Sequence, residues 1–298
     1  MPVDVADLLE RYRRDGDSLA LSRALSAIES RPTQTLEFGP RSSDRPVHRI
    51  GVTGPAGSGK STLIGRLIAA YRRTGRRVAV LAIDPSSPLS GGSVLGDRVR
   101  MDGALDDDVF VRSLATRRAP GAIAVAAGSM LRAFESTGRF DIVLVETAGA
   151  GQADVGVAAL VDTVLLVTVP ALGDAVQAIK AGVLEIADIV VVNMADRPGV
   201  TDSARQMRAM LDRRVRVLTT IATGGQGVEE LREELDRTWS SLQANGDLRR
   251  RRRTQERHQV QLTASAWLGE CVADLAVDRP LPEAVGVLLE EAARRWRT

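Results

Sequence analysis

The sequence predicts an α/β fold, a mostly parallel sheet of about seven strands wrapped by helices, and two patterns predict it. Short apolar stretches at 47–53, 78–83, 109–112, 141–146, 163–169, 188–193 and 215–220 alternate with helical spacing at 62–74, 121–136, 174–186 and 201–212. Several of these stretches, such as Ile142-Val143-Leu144-Val145, are unbroken apolar runs, as expected of strands covered on both faces by crossover helices. Ligands of such sheets bind beyond the strand C-termini, so the informative residues are those that follow each strand.

In chain order, residues 2 to about 30 read as two helices. Val5, Leu8, Leu9 and Tyr12 form one stripe, Asp15-Gly16-Asp17-Ser18 breaks it, and Leu21, Leu25 and Ile28 form the next. The proline-rich connector 31–46 closes an N-terminal helical extension, 1–46. The sheet and its helices occupy 47–242. A helical arm follows at 243–298, with a break at Asn245-Gly246-Asp247 and a final helix from about 282.

Composition narrows the chemistry. A single cysteine, Cys271, excludes a disulfide framework, and two distant histidines, His48 and His258, give no metal cluster and read as structural or solvated. No basic-apolar leader and no 18-residue apolar run is present, so the expectation is a cytoplasmic protein without a membrane span. Net charge is only +2, which does not favour a polyanion partner. Of the 40 Lys and Arg residues only Lys60 and Lys180 are lysines.

One of those lysines lies in Gly54-Pro55-Ala56-Gly57-Ser58-Gly59-Lys60-Ser61, which fits G-x-x-x-x-G-K-[ST] between a strand and a helix opening at Thr62. The glycines let backbone N–H groups converge on phosphates, and the helix N-terminus adds positive charge. Lys60, expected as an exposed loop lysine, reaches the β- and γ-phosphates, and the Ser61 hydroxyl holds Mg²⁺.

After the second strand, Asp84 to Arg98 is rich in Pro, Gly and Ser and reads as a switch loop, with an ordinary capped turn as the alternative. There Asp84 or Asp97 holds Mg²⁺ through water or orients the attacking water. After 141–146 comes Glu146-Thr147-Ala148-Gly149, which resembles the D-x-x-G of GTPases with Glu for Asp. Glu146 then joins the Mg²⁺ shell and the Gly149 amide senses the γ-phosphate. Ala150 stands where many GTPases carry a water-orienting Gln, and Gln152 lies two residues on, so slow intrinsic hydrolysis with partner acceleration is expected. Which of Asp84, Asp97 and Glu146 positions the water stays open.

After 188–193, Asn193-Met194-Ala195-Asp196 resembles the guanine-reading N-K-x-D. The Asp196 carboxylate matches the N1–H and exocyclic amine of guanine, which favours GTP over ATP. Met194 replaces the lysine, so weaker binding with retained specificity is expected. After 215–220, Ile221-Ala222-Thr223-Gly224-Gly225-Gln226-Gly227 resembles the last GTPase loop, where the Ala222 amide meets the guanine carbonyl oxygen.

Longer strings carry a family resemblance. Asp84-Pro85-Ser86-Ser87-Pro88, Gly91-Gly92-Ser93, Leu95-Gly96-Asp97-Arg98-Val99-Arg100-Met101 and Val145-Glu146-Thr147-Ala148-Gly149-Ala150-Gly151-Gln152 are similar to signatures of the methylmalonyl-CoA mutase-associated GTPases of the MeaB/ArgK type. So is the segment 174–187, which contains Gln177-Ala178-Ile179-Lys180. The resemblance spans roughly residues 5–270 and implies a P-loop GTPase of the signal-recognition/MinD-like class, binding GTP/GDP and Mg²⁺. It implies a chaperone that gates cofactor loading into an adenosylcobalamin-dependent acyl-CoA mutase and protects it, with methylmalonyl-CoA mutase as the default client. It further implies a homodimer built by the C-terminal arm, and a switch role for Lys180 within 174–187. Met194, Ala148 and Ala150 depart from the family pattern.

Two other functions compete with this one. An ATP-using kinase-like accessory of amino-acid transport is disfavoured by Asp196. A nucleic-acid-associated NTPase would use Arg249–Arg253, but consecutive helical residues point all ways around, so that run is expected to be solvated or dimer-facing.

Overall fold

The computed structural model describes residues 4–33, 46–84, 107–115, 120–147, 156–170, 181–273 and 281–297. Seven strands form one sheet: β1 (His48–Thr53), β2 (Val78–Asp84), β3 (Val109–Ala115), β4 (Ile142–Thr147), β5 (Thr163–Thr168), β6 (Ile189–Val192) and β7 (Arg216–Thr219). Their order is β3-β2-β4-β1-β5-β6-β7, and every pairing is parallel. All strand C-termini therefore share one edge of the sheet. The apolar runs predicted these strands to within a few residues at each end.

The α-helices among the described residues are α1 (Val5–Asp15), α2 (Ser18–Ser30), α3 (Lys60–Arg73), α4 (Pro120–Thr137), α5 (Ala181–Ile186), α6 (Val200–Met210), α7 (Val228–Ala244), α8 (Asp247–Ala273) and α9 (Leu281–Arg297), and a short 3-10 turn spans Val157–Ala159. The predicted break between the first two helices is a pair of caps. Asp4 accepts from the amides of Ala6 and Asp7, Gly16 ends α1 at φ 72°, and Asp17 accepts from Ala20 N.

Successive strand residues face opposite sides. Val143 and Val145 of β4 pack with Leu21, Leu25, Ile28, Leu131 and Phe134, so α1, α2 and α4 cover one face. Ile142 and Leu144 pack with Leu63, Leu67, Tyr71, Leu231 and Leu235, so α3 and α7 cover the other. The N-terminal helices thus share a core with the sheet.

The N-terminal edge of the sheet is closed by aspartates. Asp108, Asp141, Asp162 and Asp188 each directly precede a strand. Three of them accept a backbone N–H at or beside the start of the neighbouring strand: Asp141 from Arg77, Asp162 from Arg49 and Asp188 from Val164, at 2.8–3.0 Å. Asp162 is fully buried and also pairs with Arg252 at 2.8 Å and Arg49 at 3.4 Å. Burial alone would raise its pKa, but the Arg252 hydrogen bond and the two guanidinium charges hold it below the usual carboxylate range.

This edge corrects the expectation for the arginine run. Arg251 holds Asp188 at 2.6 Å and the Asp162 carbonyl at 2.8 Å. Arg252 holds Asp162 and the Val47 carbonyl, with its guanidinium 5.9 Å from the Trp239 ring centroid. Two of the five arginines are therefore structural ties of α8 to the sheet. Beside them His48 is buried, stacked on Trp239 at 4.5 Å and bonded to the Thr163 hydroxyl at 2.8 Å. Burial pulls its pKa down to about 3.

Candidate nucleotide site

At the opposite edge, the loop after β1 turns on three glycines with positive φ: Gly54 at 141°, Gly57 at 77° and Gly59 at 86°. These values are open to glycine at little cost. A Cβ on Gly54 would overlap the Val167 carbonyl of β5, and a Cβ on Gly59 would overlap the Asn193 amide. The loop is therefore shaped by its neighbours as well as by its own sequence. Pro55, Ala56 and Gly57 are at its accessible crest, whereas Ser58 is buried.

Lys60 begins α3 rather than standing out in solvent. It is 7% exposed, and its Nζ donates to the carbonyls of Gly54 (2.8 Å) and Pro55 (3.0 Å). This corrects the exposed-lysine expectation: the buried cation spans the loop it belongs to. Ser61 donates to Glu146 Oε1 at 2.7 Å, and Glu146 is 9% exposed at the end of β4. The hydroxyl and carboxylate predicted for Mg²⁺ thus meet from elements 85 residues apart. Hard oxygen donors of this kind suit Mg²⁺, so the residues present fit that ion. Thr62 sits exposed on the first turn of α3. Asp84 closes β2, but its side chain lies outside the described residues, as do Asp97, Gly149, Lys180 and the rest of both switch segments up to Ala181.

The base-side loops are joined through Asn193, only 2% exposed. Its Nδ2 donates to the Ser58 carbonyl at 2.9 Å. Its Oδ1 accepts from the Thr220 hydroxyl at 3.0 Å and the Ala222 amide at 3.1 Å. Asn193 therefore ties the phosphate loop to the loop after β7, and the Ala222 amide expected on the guanine carbonyl serves that tie. Met194 follows at φ 57°, the only non-glycine residue among those described with positive φ. That conformation turns the chain so that Asp196 stands exposed beyond the Ala195–Thr220 backbone hydrogen bond. Sequence reasoning missed Arg66, which donates to the carbonyls of Ala222 and Thr223; nothing in the motif strings marks it.

A parallel sheet with this loop after a central strand, a Lys and Ser opening the next helix, and an acid on the adjacent strand defines the class of P-loop nucleotide hydrolases. The family described as Methylmalonyl Co-A mutase-associated GTPase MeaB matches residues 21–276, and the chain belongs to that family. It is a GTPase and binds GTP and GDP. A Mycobacterium tuberculosis relative described as a probable GTPase is 39% identical over 296 residues, covering 93% of this chain and 85% of its own. The fused isobutyryl-CoA mutase of Cupriavidus metallidurans is 37% identical over 204 residues, 66% of this chain and 19% of that protein. A crystal structure of a LAO/AO transport system kinase shares the fold over 99% of this chain and 98% of its own, with a TM-score of 0.68 at 23% identity.

Proposed function

We propose that this GTPase is a chaperone that gates cofactor loading into an adenosylcobalamin-dependent acyl-CoA mutase and protects the mutase, with methylmalonyl-CoA mutase as the first client to test. The observation that carries the client class is the similarity to one segment of a fused isobutyryl-CoA mutase, together with the family's description. A domain joined covalently to a mutase in one protein acts in its neighbourhood at high effective concentration.

In this reading Lys60 exchanges two loop carbonyls for phosphate oxygens, and the N-terminus of α3 adds its dipole. Ser61 and Glu146 hold Mg²⁺, with Asp84 and Asp97 completing the acidic set; the ion supplies charge neutralisation on the phosphates. Gly149 reports the γ-phosphate to the switch segments. Asp196 reads guanine, while Asn193 and Ala222 position the base loop. The arm, 243–298, forms the homodimer; exposed Val260, Val272, Val285 and Leu289 on α8 and α9 support this. The 1–46 extension and 47–242 form the body to which the arm attaches. A cytoplasmic location is proposed from the family to which the chain belongs, and no helix among the described residues is long and apolar enough to cross a membrane. The Arg251 and Arg252 ties remove two donors from the nucleic-acid reading.

The test is GTP turnover with and without methylmalonyl-CoA or isobutyryl-CoA mutase from the same organism. The expected result is a rise of more than about tenfold, well within the roughly 10³–10⁵ that a partner-supplied group can contribute. Unchanged turnover with every cobalamin-dependent mutase of that organism would remove the chaperone reading.

A further inference from the structure

Arg66 lies six positions beyond Lys60 on α3, about 9 Å along the helix axis at its usual rise. It stays outside the buried stripe of Leu63, Ile64, Leu67 and Ile68 and is exposed. Its Nε donates to Ala222 O at 3.0 Å and its Nη2 to Thr223 O at 2.6 Å. Arg66 therefore reaches from the helix that carries the phosphate-binding residues to the loop after β7.

These two bonds complete a set. The peptide plane entering Ala222 is held through its N–H by Asn193 Oδ1. The plane leaving Ala222 is held through its C=O by Arg66 Nε. The plane leaving Thr223 is held through its C=O by Arg66 Nη2 and through Gly224 N–H by the Ile221 carbonyl at 3.1 Å. In a trans peptide the C=O and N–H point in opposite directions, so fixing the Ala222 carbonyl on Arg66 turns the Thr223 N–H to the far side of the loop. Three consecutive peptide planes are thus oriented before any base arrives, two of them by one guanidinium. A forked donor suits two successive carbonyls; a lysine ammonium, a point charge on a flexible stem, does not replace it.

We propose that Arg66 is a positioning residue for base binding, pre-orienting the 221–227 loop against α3 so that the base meets amides already aimed. This rests on the reading of 193–196 and 220–227 as the guanine pocket. The Arg66 bonds, one part-buried and one exposed, contribute little to global stability; their effect is preorganisation, which appears in affinity.

Full-length wild-type, Arg66→Ala and Arg66→Lys proteins are compared by calorimetry with GDP and with inorganic triphosphate, and by GTP turnover. GDP affinity is expected to fall about tenfold in Arg66→Ala and about threefold in Arg66→Lys. Inorganic triphosphate, which has no base, binds all three proteins within about a twofold range, and the loss of GTP turnover falls on KM with kcat unchanged. GDP affinity unchanged in both variants overturns the inference. So does an equal loss for inorganic triphosphate, which would place Arg66 in support of the phosphate loop. If Arg66→Ala does not fold, Arg66→Lys gives the same two readouts under the same criteria. Asp196→Asn in parallel separates the two readings. A GDP-over-ADP preference that survives there removes the guanine pocket itself; its loss there with intact GDP affinity in the Arg66 variants removes only the role of Arg66.

Discussion

The two edges of the sheet are both polar, and they treat their polar groups in opposite ways. At the N-terminal edge aspartates and arginines pair with one another, and buried His48 bonds the Thr163 hydroxyl. Asp162 alone takes a backbone amide and two guanidinium groups at zero exposure. At the C-terminal edge Asn193 is satisfied in the same way, but the phosphate-side groups have exchangeable partners. Lys60 rests on loop carbonyls and Ser61 on Glu146, contacts that a phosphate and a cation can replace. Asp196 is exposed. One edge is a closed lattice that fixes α8 to the strands, and the other carries donors and acceptors whose present partners a phosphate and a cation can replace. The difference teaches that the same parallel strands supply rigidity at one end and chemistry at the other.

Three substitutions sharpen that contrast. The largest effect is expected from Asp162→Ala, which removes one of the two buried carboxylates that Arg49 and Arg252 share, leaves them Glu135 at 3.4 Å, and costs about 3 kcal/mol in urea unfolding. GDP affinity of the folded fraction should stay unchanged; a loss of GDP binding in step with stability would mean that the two edges are coupled. Next is Gly59→Ala. Its Cβ overlaps the Asn193 amide and forces a strained φ, so GDP affinity should drop by about a hundredfold. The strained φ and the displaced, hydrogen-bonded Asn193 amide should lower the melting temperature by only several degrees, at roughly 2–4 °C per kcal/mol, and a collapse in melting would make the loop part of the closed lattice.

The smallest effect is a pH dependence confined to the N-terminal edge. His48 faces Trp239 and Thr163, with Asp162 favouring its charged form and Arg252 and Arg76 opposing it. Its folded pKa, about 3, lies below the unfolded value, so the unfolded chain binds the extra proton and stability falls as pH drops below about 6.5. Between pH 7 and 5 this amounts to about 2 kcal/mol. His48→Gln should flatten that slope in thermal melts, and an identical slope in the variant would assign the loss to other groups. Asp162, held low, adds its own loss only as pH falls further, through the acidic carboxylate range.

The contrast also explains what the sequence revealed. The strands were legible because burial on both faces writes an apolar run, and the phosphate loop because its chemistry needs fixed residues at fixed spacing. Glu146 was singled out by its place at the end of a strand. The lattice was not, because Arg252 and Asp162 lie 90 residues apart and only the sheet order brings them together. A signal was present all the same: aspartates immediately ahead of β3, β4, β5 and β6. Asn193 was read for the base, but its bonds to Ser58, Thr220 and Ala222 depend on a meeting of three loops that spacing does not encode. Arg251 and Arg252 looked like part of a solvated run because the partners that claim them belong to distant strands.

The claim that the open edge is a guanine site is tested most directly by titrating the wild-type protein and Asp196→Asn with GDP and ADP in Mg²⁺ buffer. The account predicts that wild type binds GDP more than about a hundredfold tighter than ADP and that Asp196→Asn narrows the gap to less than about tenfold. Equal affinities of wild type for the two nucleotides would contradict it.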